Sequence, residues 1–560
     1  MMEHLNFLKA NCKDCYKCLR ECPVKAIAII DHQAKIQNDN CILCGNCVAV
    51  CHQNAKYVSS EKATVLRLLE TKKVYATVAP SFVSSFKTDF SAMRKALLAL
   101  GFTDAFETAI AAKVVTEKYE EYLTKEKPKN LITSCCPSVN RLICQYYPAA
   151  MKYLAPFDSP MVVHGKMIKE QFEDAMVVFI GPCISKKREA EESKVIDGVL
   201  TFEDIVEIFE EKNITLEKTF TSVLTKEELE YEKIPASRYY PVSRGIIKSM
   251  AEKQDDYEYV AVDGVDRCKE VLENIENIEN MFIEMSACKF ACINGPCSLV
   301  PSGENIMSTE KVRKYANRQQ EIKHSGSNLD ISATHKSYKV NKLIPSEGKI
   351  KEILASLGKR GPEDELDCGV CGYPSCREKA VSIYNGFSEA SMCLPYMRER
   401  AESISFDIID SSPNGIISVD YDLRITSINN SGKKLLNITG NAEGNMLVDY
   451  MNPSDFVLAL ANEQSMPWKT VKLEKTGKIV EMTIRYLKEQ RLLYTLMRDI
   501  TSRVIQQEVM TSMKQNTLSA CDDVITKQMR VVQEIASLLG ETAAETKVAL
   551  LKLKDTIEKN

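Results

Sequence analysis

Three stretches of the sequence contain cysteines at spacings that suit a metal cluster. They read T-S-C-C-P at Thr133–Pro137, G-P-C-I-S-K-K-R-E-A at Gly181–Ala190, and E-M-S-A-C-K-F-A-C-I-N-G-P-C at Glu284–Cys297. The last stretch has two thiols four residues apart, Cys288 and Cys292, without a nearby second pair that would complete a zinc site. An iron–sulfur cluster takes four thiolates, so the other two stretches are expected to supply the remaining ligands. The alternative is a set of buried structural cysteines, because free cysteine is commonly buried.

Together the three stretches resemble the cysteine motifs of the FeFe-hydrogenases. In that family they hold the H-cluster, a 4Fe-4S cube bridged by one thiolate to a diiron site with carbonyl, cyanide and dithiolate ligands. Unrelated structural cysteines would not account for three motifs in this order and spacing. By position, the resemblance implies that Cys136, Cys183, Cys288 and Cys292 bind the cube and that Cys292 is the bridge.

The resemblance also implies roles for residues around the diiron site. Lys186 stands where the family holds a lysine against a cyanide, although a lysine in a Lys-Lys pair is ordinarily exposed. An ammonium there would be buried, and buried charges persist only when they are compensated. Cys135 stands at the position of the family's first proton relay. An A-P-S turn matches one that lines the family's pocket, but it is equally typical of an ordinary strand end. The further pocket residues implied in this way are Pro80, Ser81 and Ser286.

The N-terminal residues 1–58 carry two further cysteine runs. They read C-x2-C-x2-C-x3-C-P and C-x2-C-x2-C-x3-C, the bacterial two-cluster ferredoxin pattern, in which the fourth cysteine of each run serves the other cluster. His52 replaces the proline that would follow the second run. Zinc is the alternative, but zinc sites rarely repeat this triple spacing. The pattern predicts one cube on Cys12, Cys15, Cys18 and Cys51 and a second on Cys41, Cys44, Cys47 and Cys22.

A last group of thiols lies at residues 366–400, with the spacing C-x2-C-x4-C-x16-C. It resembles a small four-cysteine 4Fe-4S domain of anaerobic redox proteins. A structural zinc ion is a serious alternative here, because an isolated set of four thiolates also suits zinc. The presence of several other iron–sulfur motifs in the same chain favours iron at this site. The predicted ligands are Cys368, Cys371, Cys376 and Cys393.

Composition limits the class of protein. The chain has 560 residues, 44% of them apolar and 27% charged, with a net charge of −4. There is no basic excess for binding nucleic acid, and no apolar run approaches the roughly 18 residues that a membrane span needs. The N-terminus lacks the apolar core of a signal peptide, so a cytoplasmic protein is expected. Since the cytosol keeps thiols reduced, 21 cysteines indicate metal ligands rather than disulfides.

The predicted fold class is multidomain α/β and α+β. It comprises a ferredoxin-like N-terminal domain, a two-lobed α/β hydrogenase domain, a small 4Fe-4S domain, a PAS-like domain and C-terminal helices. Short buried strands at 73–78, 131–133 and 176–180 are expected to deliver the A-P-S turn, Cys136 and Cys183 at their ends. Part of residues 301–365, which include His324 and a loop at 325–327, is expected to wrap back on the lobes. The predicted boundaries are 1–58, 59–360, 361–400, 401–504 and 505–560.

Residues 401–504 resemble a PAS domain, with a helix, a turn and then strands that close on Arg498-Asp499-Ile500-Thr501. The segment contains no histidine or cysteine, which excludes haem ligation by histidine and a flavin–thiol adduct. From 505 onward the chain is predicted to be helical, with a coiled-coil seam at Ile525, Met529, Val532, Ala536 and Leu539. An apolar face packed on the chain's own core is the alternative. Gly540 is predicted to end this helix and to start a hairpin. No histidine follows His335, so a histidine-kinase phosphoacceptor is absent.

Several positions depart from the hydrogenase pattern. The family's proton relay continues from the cysteine through glutamate, serine and glutamate, whereas the alignment places Tyr119, Ala155 and Tyr122 at those positions. Glu120 and Glu121 lie beside them, within the uncertainty of the alignment. A phenol titrates near pH 10 and is a poor shuttle at neutral pH. Gly181, Ser286 and Val139 replace two methionines and a tryptophan, which predicts a more polar and roomier pocket, and Pro296 interrupts a glycine triplet.

These features lead to one main hypothesis and two alternatives. The main one is a slow FeFe-hydrogenase that splits H2 into protons and electrons and acts as a hydrogen or redox sensor, signalling through the PAS-like domain and the helices. The first alternative is a catabolic, ferredoxin-linked hydrogenase whose tail only dimerises. The second is an iron–sulfur regulator without a diiron site, against which Lys186 and Cys135 argue. Expected partners are a redox protein such as ferredoxin, H-cluster maturation proteins, a second copy of the chain, and a downstream kinase or phosphatase.

Overall fold

The computed structural model of the chain describes residues 4–8, 11–217, 234, 236–301, 303–318, 328–338, 340 and 342–558. It contains two compact units, residues 1–397 and 398–560. The first unit holds every predicted cluster cysteine, and the second holds the PAS-like segment and the C-terminal helix. The finer domain boundaries remain predictions. His324 and the loop at 325–327 lie outside the described residues.

The N-terminal segment is built from two antiparallel strand pairs and two short helices. Leu5–Phe7 pairs with Lys56–Val58, and Ile27–Ile30 pairs with Gln33–Ile36. The second pair turns through Asp31 and His32, both at positive φ, as a two-residue hairpin loop of the primed type requires. The helices are Lys17–Arg20 and Asn46–Ala49, and each contains a predicted cluster ligand.

The central part contains two parallel sheets. Val74–Val78, Asn130–Ile132, Met176–Gly181 and Gly198–Thr201 are almost entirely buried, which is expected because helices cover parallel sheets on both faces. The edge strand Glu258–Asp263 is only half-buried. The four-stranded sheet has the order Asp104–Glu107, Val74–Val78, Met176–Gly181 and Gly198–Thr201, and the three-stranded sheet has the order Glu258–Asp263, Met281–Ser286 and Asn130–Ile132.

The cysteine motifs follow the carboxyl ends of these strands, one or more per sheet. Cys136 follows Asn130–Ile132, Cys183 follows Met176–Gly181, and Cys288 follows Met281–Ser286. Ligand sites in open α/β sheets form at this edge, so the predicted two-lobed α/β architecture is confirmed in outline. The helices that pack on the sheets or follow the motifs are Lys62–Thr71, Phe82–Phe86, Phe90–Leu100, Ala109–Glu126, Pro137–Tyr146, Pro160–Gln171, Ser185–Ser193, Phe202–Glu211, Gly245–Ser249, Val265–Asn274 and Asn305–Ala316.

The chain after these lobes returns to them. Residues 328–338 are called here the strap. Ser332 of the strap forms an isolated antiparallel β-bridge with Phe157, and Tyr338 N–H donates to the Cys144 carbonyl at 3.1 Å. The expected wrapping of this part is therefore observed for the described residues. Beyond the strap, the helix Glu347–Ser356 packs on Cys376–Tyr384 of the four-cysteine segment through Ile350, Leu354 and Ala380.

The second unit is organised around a five-stranded antiparallel sheet. One face is buried on Phe456 and neighbouring apolar residues, and the alternating burial of Gly415–Asp420 reflects this single covered face. The strands follow a helix and a turn and the last of them ends at Asp499, as predicted, while the PAS resemblance itself remains a prediction. In order across the sheet they are Ile425–Ile428, Gly415–Asp420, Leu492–Asp499, Ile479–Leu487 and Met466–Lys472, with helices Leu394–Ser411, Asn430–Leu436 and Ser454–Ala461 alongside in sequence.

The C-terminal segment is one continuous helix, Thr501–Glu558. The predicted break and hairpin at Gly540 are wrong. A glycine inside a helix costs only about 1 kcal/mol relative to alanine, which is too little to end a long helix. A Cβ at Gly540 would meet no atom within 4 Å, so no close approach requires glycine there either. Among the residues described, no helix has both the length and the apolar character that crossing a membrane would take.

Candidate active site and cluster-binding cysteines

The four predicted H-cluster cysteines come together between the two sheets. Burial raises the pKa of Cys288 well above its ordinary value, and the nearby thiols of Cys183, Cys136 and Cys292 raise it further. Burial likewise raises the pKa of Cys183 to about 11, with Cys136 adding to the effect. Such mutual destabilisation of thiolates is relieved by protonation or by a bound metal ion, and metal coordination deprotonates thiols outright. The donor set therefore fits an iron–sulfur cluster.

Local backbone geometry presents these thiols. Cys136 is the extended N-cap residue of Pro137–Tyr146, and Pro137 takes the first helical position, where proline is favoured. Phe290 and Ala291 both have positive φ, at 63° and 53°, which bends the chain tightly between Cys288 and Cys292. The close spacing of those two thiols is thus built into a strained turn.

Lys186 is buried, as the resemblance implies, and not exposed as a Lys-Lys pair would ordinarily be. Its side chain is about 9% exposed. The ammonium donates to Glu189 Oε2 at 2.7 Å, to Ser159 Oγ at 2.8 Å and to the Cys135 carbonyl at 3.3 Å. Burial alone would lower the pKa of Lys186, but the Glu189 carboxylate raises it above the usual value. Lys186 therefore stays charged beside the cysteine cluster.

Sequence reasoning missed two of these contacts. Glu189 lies three residues after Lys186 on the helix Ser185–Ser193, a spacing that places the two side chains on one face. That spacing was an available signal. Ser159 is brought in from a separate segment, so nothing in the sequence pattern marks it.

Cys135 is hydrogen-bonded to Tyr119 in place of a carboxylate. The Tyr119 hydroxyl lies 3.3 Å from Cys135 Sγ and 3.2 Å from Ser134 Oγ, and it accepts from Ser134 N–H at 3.1 Å. Burial raises the pKa of Tyr119 well above 10. Burial also raises the pKa of Cys135 to about 12, above the value near 8.5 expected from the sequence. Both groups thus remain protonated at neutral pH.

The neighbouring relay positions contain no proton carrier. Ala155 is fully buried, and Tyr122 packs edge-on against Phe157. Glu120 is occupied elsewhere, since its carboxylate accepts the Ala251 N–H at 2.6 Å.

Glu121 is likewise unavailable for a relay. It pairs with Lys118 and Lys125 at the protein surface. The structure thus places Tyr119 at Cys135, and neither adjacent glutamate replaces it.

The predicted pocket residues are partly accounted for. Ser81 is 1% exposed, and its hydroxyl has no hydrogen-bond partner among the described residues. A buried polar group without a partner needs an explanation, and a cofactor in this region would supply one. The turn before it is tied to the strand that leads to Cys183, through Ala79 N–H and the Ile180 carbonyl at 2.9 Å. The cofactor contacts of Pro80, Ser81 and Ser286 remain predictions.

The predicted roomier pocket is wrong at one position. A Cβ on Gly181 would lie 2.6 Å from the Phe179 ring, so this ring already fills the space left by the missing methionine. Val139 is fully buried in the core beside Ile132 and Leu142 and does not open a cavity. The losses of side-chain volume here are compensated locally.

Among the ferredoxin-type cysteines, Cys22 of the first run lies beside the second run, as the predicted exchange of ligands would require. Burial is the main cause of the raised pKa values of Cys41, Cys44 and Cys47, and the charge of Cys22 raises each of them further. Cys22 therefore lies beside the second run. Cys18 lies near Cys15 and Cys12, which also affect its pKa. The assignment of Cys51 to that group remains a prediction.

The four predicted ligands of the four-cysteine segment line one small cavity of about 20 Å³, together with Lys359 and Lys379. Among the described residues, no three Cys, His, Asp or Glu side chains converge as ligands of one metal ion. A 4Fe-4S cube instead takes one thiolate on each of four irons. The thiols in question are Cys368, Cys371, Cys376 and Cys393.

Metal analysis should decide between iron and zinc in this segment. If all four cubes and the diiron unit assemble, the chain should contain about 18 irons. If the four-cysteine site holds zinc, the total falls to about 14 irons with one zinc. Five cysteines would remain unliganded in either case, namely Cys135, Cys144, Cys268, Cys297 and Cys521. Because Cys144, Cys268 and Cys297 are buried, thiol labelling of the folded, loaded protein should modify the exposed Cys521 and leave those three unmodified.

Comparison with known proteins identifies the central region. Residues 72–296 match the family model described as iron-only hydrogenase large subunit, C-terminal domain. These residues are similar to that domain of the iron-only hydrogenases. Residues 4–52 match a 4Fe-4S dicluster domain, and residues 364–395 match a model of an Fe-S cluster segment.

The curated relatives that match this chain are distant. It is 24% identical over 344 residues to iron hydrogenase 1 of Clostridium pasteurianum, a match that spans 50% of this chain and 58% of that protein. It is 24% identical over 292 residues to the periplasmic [Fe] hydrogenase large subunit of Nitratidesulfovibrio vulgaris, covering 42% of this chain and 69% of that one. A solved [FeFe]-hydrogenase HydA1 of Chlamydomonas reinhardtii shares 17% identity, with a TM-score of 0.39 over 50% of this chain and 100% of that chain.

Proposed function

We propose that this protein is a slow FeFe-hydrogenase, which oxidises H2 reversibly to two protons and two electrons and serves as a hydrogen or redox sensor. The observation that carries the proposal is the buried hydrogen bond between Tyr119 and Cys135, at 3.3 Å, where the family relay continues through a carboxylate. A phenol with a raised pKa neither accepts nor releases protons readily at neutral pH. Slow proton exit suits a sensor, which needs equilibrium with hydrogen and not a high flux.

Residues of the chain prepare the site for the H-cluster. When bound, the cofactor supplies the open metal position and the base that split H2. Glu189 and Ser159 hold the Lys186 ammonium, which would pair with the anionic ligands of the diiron unit when that unit is bound. Cys135 presents a protonated thiol beside the site, and the ring of its neighbour Tyr119 packs edge-on against Phe157. Roles for Lys186 and Cys135 follow from family position and are supported by these contacts.

The arrangement of the first unit also favours electron exchange with the ferredoxin-like segment. One cavity of about 670 Å³ is lined by Cys22 and Cys44 from that segment and by Cys288 from the predicted H-cluster site. Clusters at the two sites would thus lie on either side of a shared cleft. A soluble redox protein such as ferredoxin is the proposed external partner, and maturation proteins would deliver the diiron unit.

The experiment that tests this function is infrared spectroscopy after maturation of the cofactor. Carbonyl and cyanide bands would report the diiron site, and complete cluster reduction under hydrogen would report slow but reversible chemistry. Absence of those bands in a fully matured sample, with all cubes present, would favour an iron–sulfur regulator without a diiron site. Fast turnover would instead favour the catabolic, ferredoxin-linked alternative.

For signalling, the proposed output is the second unit, acting as a homodimer on a downstream kinase or phosphatase. The predicted seam is exposed on the helix Thr501–Glu558, with Ile525 at 59%, Val532 at 55% and Leu539 at 64% exposure. The same heptad spacing extends to Leu518 and Leu553. A heptad repeat of this length is typical of helices that pair with a second copy.

Deleting residues 402–560 should therefore make the protein monomeric while hydrogen chemistry is largely retained. The seam residues would lose their packing partner, and sedimentation would measure the change in mass. A Val532→Asp variant of the full chain should weaken the dimer, because it places a charge in the seam. The matched control is Ala520→Asp, which places the same charge on the opposite face of the helix. A truncated protein that still sediments as a dimer would locate self-association in the first unit.

A further inference from the structure

The cavity of the four-cysteine segment is lined by two buried lysines that no cluster motif includes. Lys359 is 7% exposed and Lys379 is 2% exposed. Lysine is almost never fully buried unless it is paired. The presence of two such side chains in one small cavity therefore needs a partner of opposite charge.

The contacts of both ammonium groups are with uncharged atoms. Lys379 Nζ donates to the Glu389 carbonyl at 2.6 Å, to Met392 Sδ at 3.2 Å and to the Ser388 hydroxyl. Lys359 Nζ donates to the Asp364 carbonyl at 2.6 Å. Within the described part of the chain, no carboxylate forms an ion pair within 4.0 Å of either ammonium.

Burial lowers the pKa of Lys379 to about 8, and the thiols of Cys371 and Cys393 oppose this effect, as does, more weakly, the Glu389 carboxylate. Lys359 lies close enough to Cys376 to lower the pKa of that thiol, which burial raises. Buried charges are paired or lie beside metal sites. A cluster with four thiolate ligands carries a net negative charge, which increases when an electron is added. Two fixed ammonium groups would stabilise that reduced state.

The site also rests directly on the ferredoxin-like segment. Ile29 N–H donates to the Phe387 carbonyl at 2.9 Å, and Arg20 Nη1 donates to the Val370 carbonyl at 3.3 Å. Gly372 approaches Leu19 so closely that a Cβ would lie 2.9 Å from Leu19 Cγ. The four-cysteine segment is thus held against the predicted cubes and not tethered at a distance.

We propose that Lys359 and Lys379 are charge-compensating residues that raise the reduction potential of an iron–sulfur cluster bound by the four thiols of this segment. The inference rests on the iron occupancy that the sequence predicts for this segment, within the proposed iron–sulfur function. The added electron comes from a reduced cube of the ferredoxin-like segment, which is oxidised in turn, and no bond to the protein forms or breaks. The lysines make this segment an electron acceptor, and its own thiols would otherwise disfavour an added electron.

The test is a redox titration of the full, cluster-loaded chain, followed by electron paramagnetic resonance. A Cys376→Ala variant first identifies the signal of this cluster. Lys379→Met and Lys359→Met should each shift its equilibrium at least tenfold toward the oxidised form, which is about 59 mV for one electron. Lys379→Arg keeps the charge and should restore most of the potential. Lys351→Met, at an exposed lysine on the preceding helix, is the matched control and should leave the potential unchanged.

The outcomes separate charge compensation from a structural role. If a methionine variant loses iron from this site alone and the arginine variant retains it, the proposal is also supported. An unchanged potential in both methionine variants would overturn it, as would equal loss of iron with methionine and arginine. One zinc at this site with no redox signal would overturn it as well. None of these results depends on whether the diiron unit shows infrared bands, so the proposed function is judged independently.

Discussion

Lys186→Asn is expected to abolish stable retention of the diiron unit while the iron–sulfur cubes remain. The substitution removes the ammonium and leaves the half-buried Glu189 carboxylate and the buried Ser159 hydroxyl without their partner. Breaking a buried charge pair by removing one member typically costs roughly 3–5 kcal/mol, which corresponds to a loss of at least about a hundredfold in retention. The infrared carbonyl and cyanide bands measure the diiron unit, and iron content with paramagnetic signals measures the cubes.

The matched control is Lys194→Asn in the same helix region. Lys194 is exposed and adopts a left-handed conformation at the helix end, with φ of 56°, which asparagine tolerates. This variant should keep full infrared bands. Undiminished bands in Lys186→Asn would show that the lysine does not hold the diiron unit.

Hydrogen turnover by the unmodified protein is expected to be orders of magnitude below that of a catabolic FeFe-hydrogenase, with complete cluster reduction at equilibrium. Cys135 faces a phenol that cannot carry protons onward, and Ala155 provides no hydroxyl for the next step. A positioned proton-transfer group contributes about 10²–10⁴ to a rate. Cys135→Ala should therefore slow turnover further, but by much less than in an enzyme with an intact relay. Gas exchange under hydrogen and deuterium measures the rate.

Tyr119→Phe distinguishes a blocked relay from a working one. The variant keeps the ring but removes the hydroxyl, so turnover should change by less than about tenfold if tyrosine carries no protons. Leaving Ser134 N–H without its acceptor should lower the free energy of unfolding by about 1–3 kcal/mol. A loss of turnover as large as that of a missing relay group would show that Tyr119 does transfer protons. Turnover of the unmodified chain as fast as that of a catabolic enzyme would contradict the sensory proposal.

The cluster ligands could be predicted from cysteine spacing, and the buried strands could be predicted from runs of β-branched residues. The runs before Cys136 and Cys183 are strands that end at one sheet edge, because burial on both faces demands continuous apolar sequence. Burial of Lys186 was also predictable from its motif. Burial of Lys359 and Lys379 was not predictable. Both lysines line the cavity of the four thiols, but no periodic pattern in the sequence marks a lysine that faces such a cavity.

Other features were decided by tertiary packing. Gly181 suggests an open pocket only until the position of the Phe179 ring is known. Gly540 resembles a helix end in sequence, but propensity is a weak effect that fifty-eight helical residues outweigh. The PAS-like strands were predictable from alternation, whereas what the domain binds has no sequence signal in this chain.

The contact between Gly45 and Pro296 joins the ferredoxin-like segment to the cluster loop. A Cβ at position 45 would lie 2.3 Å from Pro296 Cβ, so the proline ring fills the space that a side chain at position 45 would need. Pro296 stands where the family pattern has glycine. Positions 45 and 296 should therefore have changed together during evolution. Relatives with a side chain at position 45 should retain glycine at position 296. Proline at position 296 should occur only where position 45 is glycine. This pair thus offers a sequence marker for chains whose two segments dock in the same way.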